Sequence, residues 1–295
     1  MHSNRAISGL LSLQPSGHAG YVDTDIKQVK AYILHDHQTK CPMLYDSGLF
    51  FVLQGAKKGF AAGQTFATSA QRYLLLSNAY PIECETLASP SEPIVGLFIS
   101  LDKEEVARQI RIMGRDDEAT QLTPMNLQVI NSIKNTHKLA ELIEQLALSL
   151  IDPSQAKIIG PSLLTQIYYH VLQGPGFHVL RQWVNAESKF SAISKAIEWM
   201  QLNLTQRIHI DDLAEQVGLS GSGFHRYFKQ VTGESPLQYL KQLRLVRAKA
   251  LLVQQKQSAS QTAYDVGYES PNQFSREFKR YFGVPPSKAD TLPYR

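Results

Sequence analysis

The 295-residue sequence predicts an α+β protein in two parts: an all-β barrel or sandwich followed by helices, then an all-α region built from two helix-turn-helix units. Three observations predict it. Short aromatic and β-branched runs, broken by turn residues, fill the span from about residue 20 to 101. After Asp102 the apolar spacing changes to three and four. The C-terminal third then repeats itself at an offset of 50 positions.

In the β region the runs are residues 31–34, 49–53, 73–76 and 94–99, each too short for a helix, with Gly55, Gly59 and Gly63 supplying hairpin chemistry between two of them. Inward aromatics such as Tyr32, Phe51 and Phe60 are candidates to contact an apolar effector, or they fill a core. Leu139, Leu142, Ile143, Leu146 and Leu150 then mark one helix stopped by Pro153. Leu163, Leu164, Ile167, Tyr168, Val171 and Leu172 mark a second, ended by Gly174, Pro175 and Gly176. These helices either cover the barrel or pair with a second copy, which makes residues 137–173 the candidate homodimer surface. A short linker within 174–190 divides the chain into 1–185, with the barrel at about 20–101 and helices at about 102–182, and 186–295.

A composition of 43% hydrophobic and 19% charged residues excludes disorder, and two cysteines, Cys41 and Cys84, exclude a disulfide scaffold and suggest a reducing compartment. Their thiols are inert if buried and redox-active only if exposed near positive charge. No apolar run approaches the roughly 20 residues that cross a bilayer, and the first residues lack a signal-type apolar stretch, so a cytoplasmic location is expected, with no membrane partner. Charge is unevenly placed. Residues 1–185 carry 15 Lys+Arg against 16 Asp+Glu, whereas residues 186–295 carry 15 against 10, which points to a polyanion partner for the C-terminal third.

The repeat pairs Phe224 with Phe274, Arg226 with Arg276, Phe228 with Phe278, Lys229 with Lys279, Gly233 with Gly283 and Pro236 with Pro286. Upstream, Ala214, Val217 and Gly218 pair with Ala263, Val266 and Gly267 at an offset of 49. Each copy reads as helix, glycine turn, helix, at about 210–233 and 259–283. Gly218 suits the left-handed conformation of a sharp turn, and Ser220 and Ser270 are N-caps for the second helices, the latter followed by Pro271. Those second helices are two-faced. Phe224, Phe228 and Val231, like Phe274, Phe278 and Phe282, form an apolar back. Ser222, His225, Arg226 and Lys229, like Asn272, Ser275, Arg276 and Lys279, form a polar, cationic front.

Such a front suits the major groove of duplex DNA. Arginine pairs bidentately with guanine, Asn272 or Gln273 with adenine, His225 donates or accepts, and Lys229 and Lys279 neutralise phosphates. Between the copies, residues 236–252 read as one proline-initiated helix of about 17 residues and roughly 25 Å. A spacer of that order sets two recognition helices on successive groove openings about 34 Å apart.

The run 220–233, followed by Ser235, Pro236, Arg244, Ala248, Leu251 and Leu252, and the run 266–283, followed by Pro285 and Pro286, resemble the AraC/XylS family of bacterial transcription regulators over about a third of the chain. The resemblance implies promoter DNA as partner, RNA polymerase as a further one, and activation rather than repression. It places base reading on Ser222, His225 and Arg226 and on Asn272, Gln273, Ser275 and Arg276. Ala259 and Thr262 stand where the family usually has isoleucines, giving the second unit a smaller and more polar back. The N-terminal region, through residues 45–55, Lys58, Tyr73, Leu74, Pro81, Pro93, residues 174–176, Leu180 and Arg181, is similar to one branch of that family. This implies a cupin-like barrel that receives a small effector.

Two other readings stay open at this point: a cupin metalloenzyme with an accessory DNA unit, and a ligand-independent regulator whose barrel only mediates self-association. Against the first, His35 and His37 form a His-x-His pair, but Cys41 and Pro42 occupy the positions where metal cupins place a glutamate, so no metal or other cofactor is expected. No nucleophile elbow, Walker loop or dinucleotide fingerprint is present, and no enzyme activity is expected.

Overall fold

The computed structural model describes residues 2–15, 19–61, 63–115 and 129–293. Residues 116–128, within the range expected to be helical, lie outside the described residues. After α1 (His2–Ser12) come β1 (Gly20–Asp23), β2 (Val29–Leu34), β3 (Gln38–Tyr45), β4 (Gly48–Gln54), β5 (Ala56–Ala61), β6 (Gln64–Ser69), β7 (Arg72–Leu76), β8 (Tyr80–Leu87) and β9 (Ile94–Ser100), then α2 (Lys103–Ile112) and β10 (Ile130–Lys134). The strands form one antiparallel sheet, curled into a half-barrel, in the order β1-β2-β9-β4-β7-β6-β5-β8-β3, with β10 also on β7. β4 lies between β7 and β9 and buries Gly48 through Val52 in succession, which is why its sequence is an unbroken apolar run rather than an alternation. Its neighbour Gly96 is held to glycine by close approach: a Cβ there would stand 2.4 Å from the Phe51 carbonyl oxygen.

Three helices follow, α3 (His137–Ser149), α4 (Pro153–Leu172) and α5 (Gly176–Val184). Thr136 caps α3 by accepting from the Leu139 amide, and Asp152 caps α4 through the Ser154 and Gln155 amides, with Pro153 in the first turn. The apolar stripes expected on α3 and α4 are buried within the chain, where α3 packs on α1 and α4. What α4 leaves exposed is a different set, Ile158, Ile159 and Tyr169.

The remaining chain is helical: α6 (Lys189–Leu202), α7 (Ile210–Gln216), α8 (Gly221–Thr232), α9 (Pro236–Gln254), α10 (Ala259–Asp265), α11 (Pro271–Phe282) and a 3-10 turn (Pro286–Thr291). The spacer α9 has 19 residues, two longer than its sequence suggests, or about 28 Å. The apolar packing does not break at the linker. One continuous core runs from the barrel through α6, α7 and α8 to Leu243 on α9. A second, from Leu245 to Leu292, encloses the other helix-turn-helix unit and takes in Cys41 of β3.

Two elements are absent from the sequence reading. In α1, Ala6, Ile7 and Leu10 are buried on a single helical face. In β10, Ile130 and Ile133 are three apart, a helical spacing, yet the strand pairs with β7 over five residues.

Candidate nucleic-acid interface

Each helix-turn-helix unit is closed by glycine. Gly218 and Gly267 turn the chain at φ +72° and +83°, and Gly233 and Gly283 end the second helices at +80° and +79°. Ser220 Oγ accepts from the Gly223 amide and Ser270 Oγ from the Gln273 amide, so both recognition helices start at the serines the sequence nominates. We expect Ser270→Ala to cost about 1 kcal/mol of stability in denaturant unfolding, with little change for the control Ser287→Ala on an exposed turn residue.

The two faces separate as amphipathicity requires. Phe224, Phe228 and Val231, and Phe274, Phe278 and Phe282, are buried. Ser222, His225, Arg226 and Lys229 are exposed on α8. On α11 Asn272, Gln273, Arg276 and Lys279 are exposed and Ser275 is half-buried. Among the described residues, Lys229, Arg276 and Lys279 make no ion pair with a carboxylate, so their charge is directed outward. The polar back of the second unit is accommodated locally: Thr262 is fully buried and its hydroxyl meets Gln257 Oε1 at 3.4 Å.

Two of the nominated base readers are tethered. Arg226 Nη2 donates to the Tyr227 hydroxyl at 3.2 Å, with its guanidinium 4.8 Å from that ring, and Lys189 of α6 donates to the same hydroxyl. The bonds from Lys189 and then Arg226 hold the Tyr227 phenol below its ordinary pKa. Gln273 Nε2 donates to Glu277 Oε1 at 3.3 Å. Glu277 also receives Lys241 of α9 at 3.0 Å and the Tyr268 hydroxyl at 2.9 Å. Burial works to raise the Glu277 pKa, but these donors outweigh it and the carboxyl lies below its usual range. Tyr227, Lys189, Lys241 and Glu277 were not legible as part of this face, since each reads in sequence as an ordinary helix-surface residue.

The interface is also seated on the barrel. Tyr80 donates to the Thr232 carbonyl at 2.7 Å, at the end of α8, and Tyr239 of α9 donates to the Ala79 carbonyl. The two rings meet edge-on at 5.5 Å. Asn78 donates to Ser194 Oγ at 2.9 Å, the Val129 amide to the Val231 carbonyl at 3.2 Å, and Lys249 to Cys41 Sγ at 3.4 Å. Both cysteines are free and buried, and burial raises both thiols above their usual pKa.

The nominated effector aromatics are dispersed. Tyr32 and Phe51 are core, Phe51 stacked on Tyr73 at 4.9 Å. Phe60 is half-buried beneath Lys40, in a cleft of about 400 Å³ shared with Glu234 and Tyr281. A second cleft, of about 430 Å³, lies between Phe66, Tyr80, β10 and the end of α8. His35 bonds Gln14 at 2.9 Å, and His37 lies 3.8 Å from Glu85. Among the described residues no three His, Cys, Asp or Glu side chains converge on a metal position, and no helix is long and apolar enough to cross a membrane.

Comparison with known proteins matches residues 25–179 to the AraC-type transcriptional regulator N-terminus family and residues 213–291 to a helix-turn-helix domain family. Over 102 residues the chain is 35% identical to the HTH-type transcriptional activator RhaS of Escherichia coli; the match covers 35% of this chain and only 37% of RhaS. The whole-chain fold is similar to that of ToxT from Vibrio cholerae. An apo ToxT variant aligns with TM-score 0.59 and 12% identity over 92% of this chain and 99% of that one. A second ToxT crystal form gives 0.56 and 15% over 88% and 96%.

Proposed function

Because the chain belongs to the AraC-type transcriptional regulators, DNA-binding proteins that are not enzymes, we propose that it is a sequence-specific activator acting in the cytoplasm through residues 186–295, under the control of residues 1–185. The observation that carries this reading is the pair of exposed cationic faces on α8 and α11, each backed by three buried apolar residues and each led by an arginine. In this reading Ser222, His225, Arg226, Asn272, Gln273, Ser275 and Arg276 read base edges, and Lys229 and Lys279 hold phosphates. Arg226 and Gln273 exchange their bonds to Tyr227 and Glu277 for bonds to DNA. RNA polymerase is the partner that activation requires.

The seat between Tyr80, Tyr239 and the end of α8 supports control by the barrel, since a ligand that favours one arrangement of that seat shifts how the first recognition helix is presented. A second copy of the chain would pair through the exposed Ile158, Ile159 and Tyr169 of α4, within the 137–173 span. Fluorescence anisotropy with promoter fragments tests the reading. We expect affinity to fall steeply with salt, by about 0.9 log units per log unit of salt for each phosphate contacted, and to exceed that for unrelated duplex by about 1,000-fold. Equal affinity for all sequences would overturn it.

A further inference from the structure

The cleft of about 400 Å³ beside Phe60 is walled from both parts of the chain. Lys40 of β3, Phe60 of β5 and Glu83 of β8 stand on one side, and Glu234, Gln242 of α9 and Tyr281 of α11 on the other. Its charged side chains are two carboxylates and one ammonium, so it carries an excess of negative charge. The cleft of about 430 Å³ has the opposite balance, with Arg72 and Lys134 and no carboxylate in its lining.

The uncompensated charge belongs to Glu234. Among the described residues no ammonium or guanidinium pairs with it, and its Oε2 is buried without a hydrogen-bond partner. Burial raises its carboxyl above the usual range, and the bond from Gln242 offsets this only in part. A carboxylate drawn out of water without a counter-charge is unfavourable, and a glutamine of the same shape would avoid that cost. Burial, then the fields of Glu234 and Glu83, raise the Tyr281 phenol, so both carboxylates act on one wall of the cleft.

Lys40 shows the chemistry that the facing wall accepts. Its Nζ stands 4.4 Å over the Phe60 ring and 2.6 Å from Glu83 Oε2. A lysine side chain is a primary ammonium on a flexible alkyl stem, so the cleft already holds such a group between a ring and a carboxylate. The pair is partly open to water, Lys40 at 50% and Glu83 at 40% exposure, and an ion pair of that kind is weak enough to yield to a ligand.

We propose that this cleft binds a primary alkylammonium ion, with Glu234 as its counter-charge and its apolar stem against Phe60 and Tyr281. One monocation together with Lys40 balances the two carboxylates. A divalent metal asks for more ligating side chains than converge here among the described residues. The proposal gives the effector of the reading above its chemical class and rests on that reading for its consequence. Glu234 follows Gly233, which ends α8; its amide receives no other acceptor than Thr232 Oγ1, and its carbonyl accepts from the same hydroxyl, while the Thr232 carbonyl receives Tyr80. A cation held by Glu234 therefore acts on the seat of the first recognition helix, and amine and promoter DNA each change the other's affinity by the same factor.

Thermal unfolding of the full chain tests this with butylamine, hexylamine and benzylamine, the matching alcohols and magnesium chloride, each at millimolar concentration, neutral pH and constant ionic strength. At least one amine should raise Tm by several degrees while its alcohol and magnesium do not. Calorimetric titration of the same amine then separates the variants. Glu234→Gln, which keeps the shape and removes the buried charge, should fold and bind about tenfold more weakly or worse. Lys40→Met, which removes the resident ammonium, should change affinity in the opposite direction and tighten it, and Glu92→Gln on an exposed turn should leave it alone. The site is refuted if no amine separates from its alcohol, if magnesium gives the same shift, if Glu234→Gln binds as the unsubstituted chain does, or if Lys40→Met fails to tighten binding. Promoter binding of the same samples, followed by anisotropy without amine, answers separately: its absence in the unsubstituted protein would remove the regulator reading and leave the amine site standing.

Discussion

Replacing Arg226 and Arg276 together by alanine is expected to remove most of the protein's preference for its own promoter while leaving a general hold on DNA. A bidentate arginine–guanine pair is worth about 1–3 kcal/mol of discrimination, so the double substitution should lower the ratio of specific to unrelated binding by roughly 30-fold or more. Both guanidiniums are exposed on the front of their helices, and neither supports the apolar back, so thermal stability should be nearly unchanged. Lys229→Ala and Lys279→Ala should behave differently, weakening all sequences alike and each reducing the salt slope by about one contact. Equilibrium binding to promoter and scrambled duplex, across a salt series, distinguishes the two patterns. An unchanged ratio in the double variant would show that these arginines read nothing.

The second large effect concerns the turn of the second unit. Gly267→Ala should be far more damaging than Gly218→Ala, although the two glycines occupy matching positions of the repeat. Both have positive φ, which costs an alanine about 1 kcal/mol. At Gly218 an added Cβ meets nothing within 4 Å. At Gly267 it would stand 2.4 Å from the Leu204 carbonyl oxygen and 2.7 Å from Arg244 Nη2. Arg244 is the tie between α9 and the segment after α6, donating to the Leu204 carbonyl at 3.2 Å and the Gln206 carbonyl at 2.8 Å. Relieving the contact breaks that tie, for a total of about 3 kcal/mol and a Tm lower by roughly 10 °C, against a few degrees for Gly218→Ala. Equal shifts in the two variants would contradict the packing described for this turn.

Much of the DNA-facing half was legible because its physics is local. A recognition helix needs its cap, its glycine and its two faces within about twenty consecutive residues, and the repeat displays them twice. The tethers on Arg226 and Gln273 were not legible, because Lys189 and Lys241 come from other helices and reach the face only after the bundle packs. In the barrel the apolar runs announced strands, but not which aromatic would face which space. Phe60 follows a glycine in a strand and reads as an inward residue, yet it is half-buried beneath Lys40. Lys57 shows the converse. A lysine in a strand beside Lys58 reads as solvated, and its burial follows only from the pairing of β5 with β8. The seat made by Tyr80 and Tyr239 is likewise a product of tertiary structure, joining positions 159 residues apart that each resemble ordinary core.

In the function proposed for this chain, α8 and α11 read one duplex at two consecutive major-groove openings, each through its own arginine. Guanine methylation interference on a bound promoter measures this directly, with the unsubstituted chain beside Arg226→Ala and Arg276→Ala. Two clusters of interfering guanines about 10 base pairs apart on one face of the duplex, one cluster fading in each variant, is the expected result. A single cluster, or the same cluster fading in both variants, would contradict it.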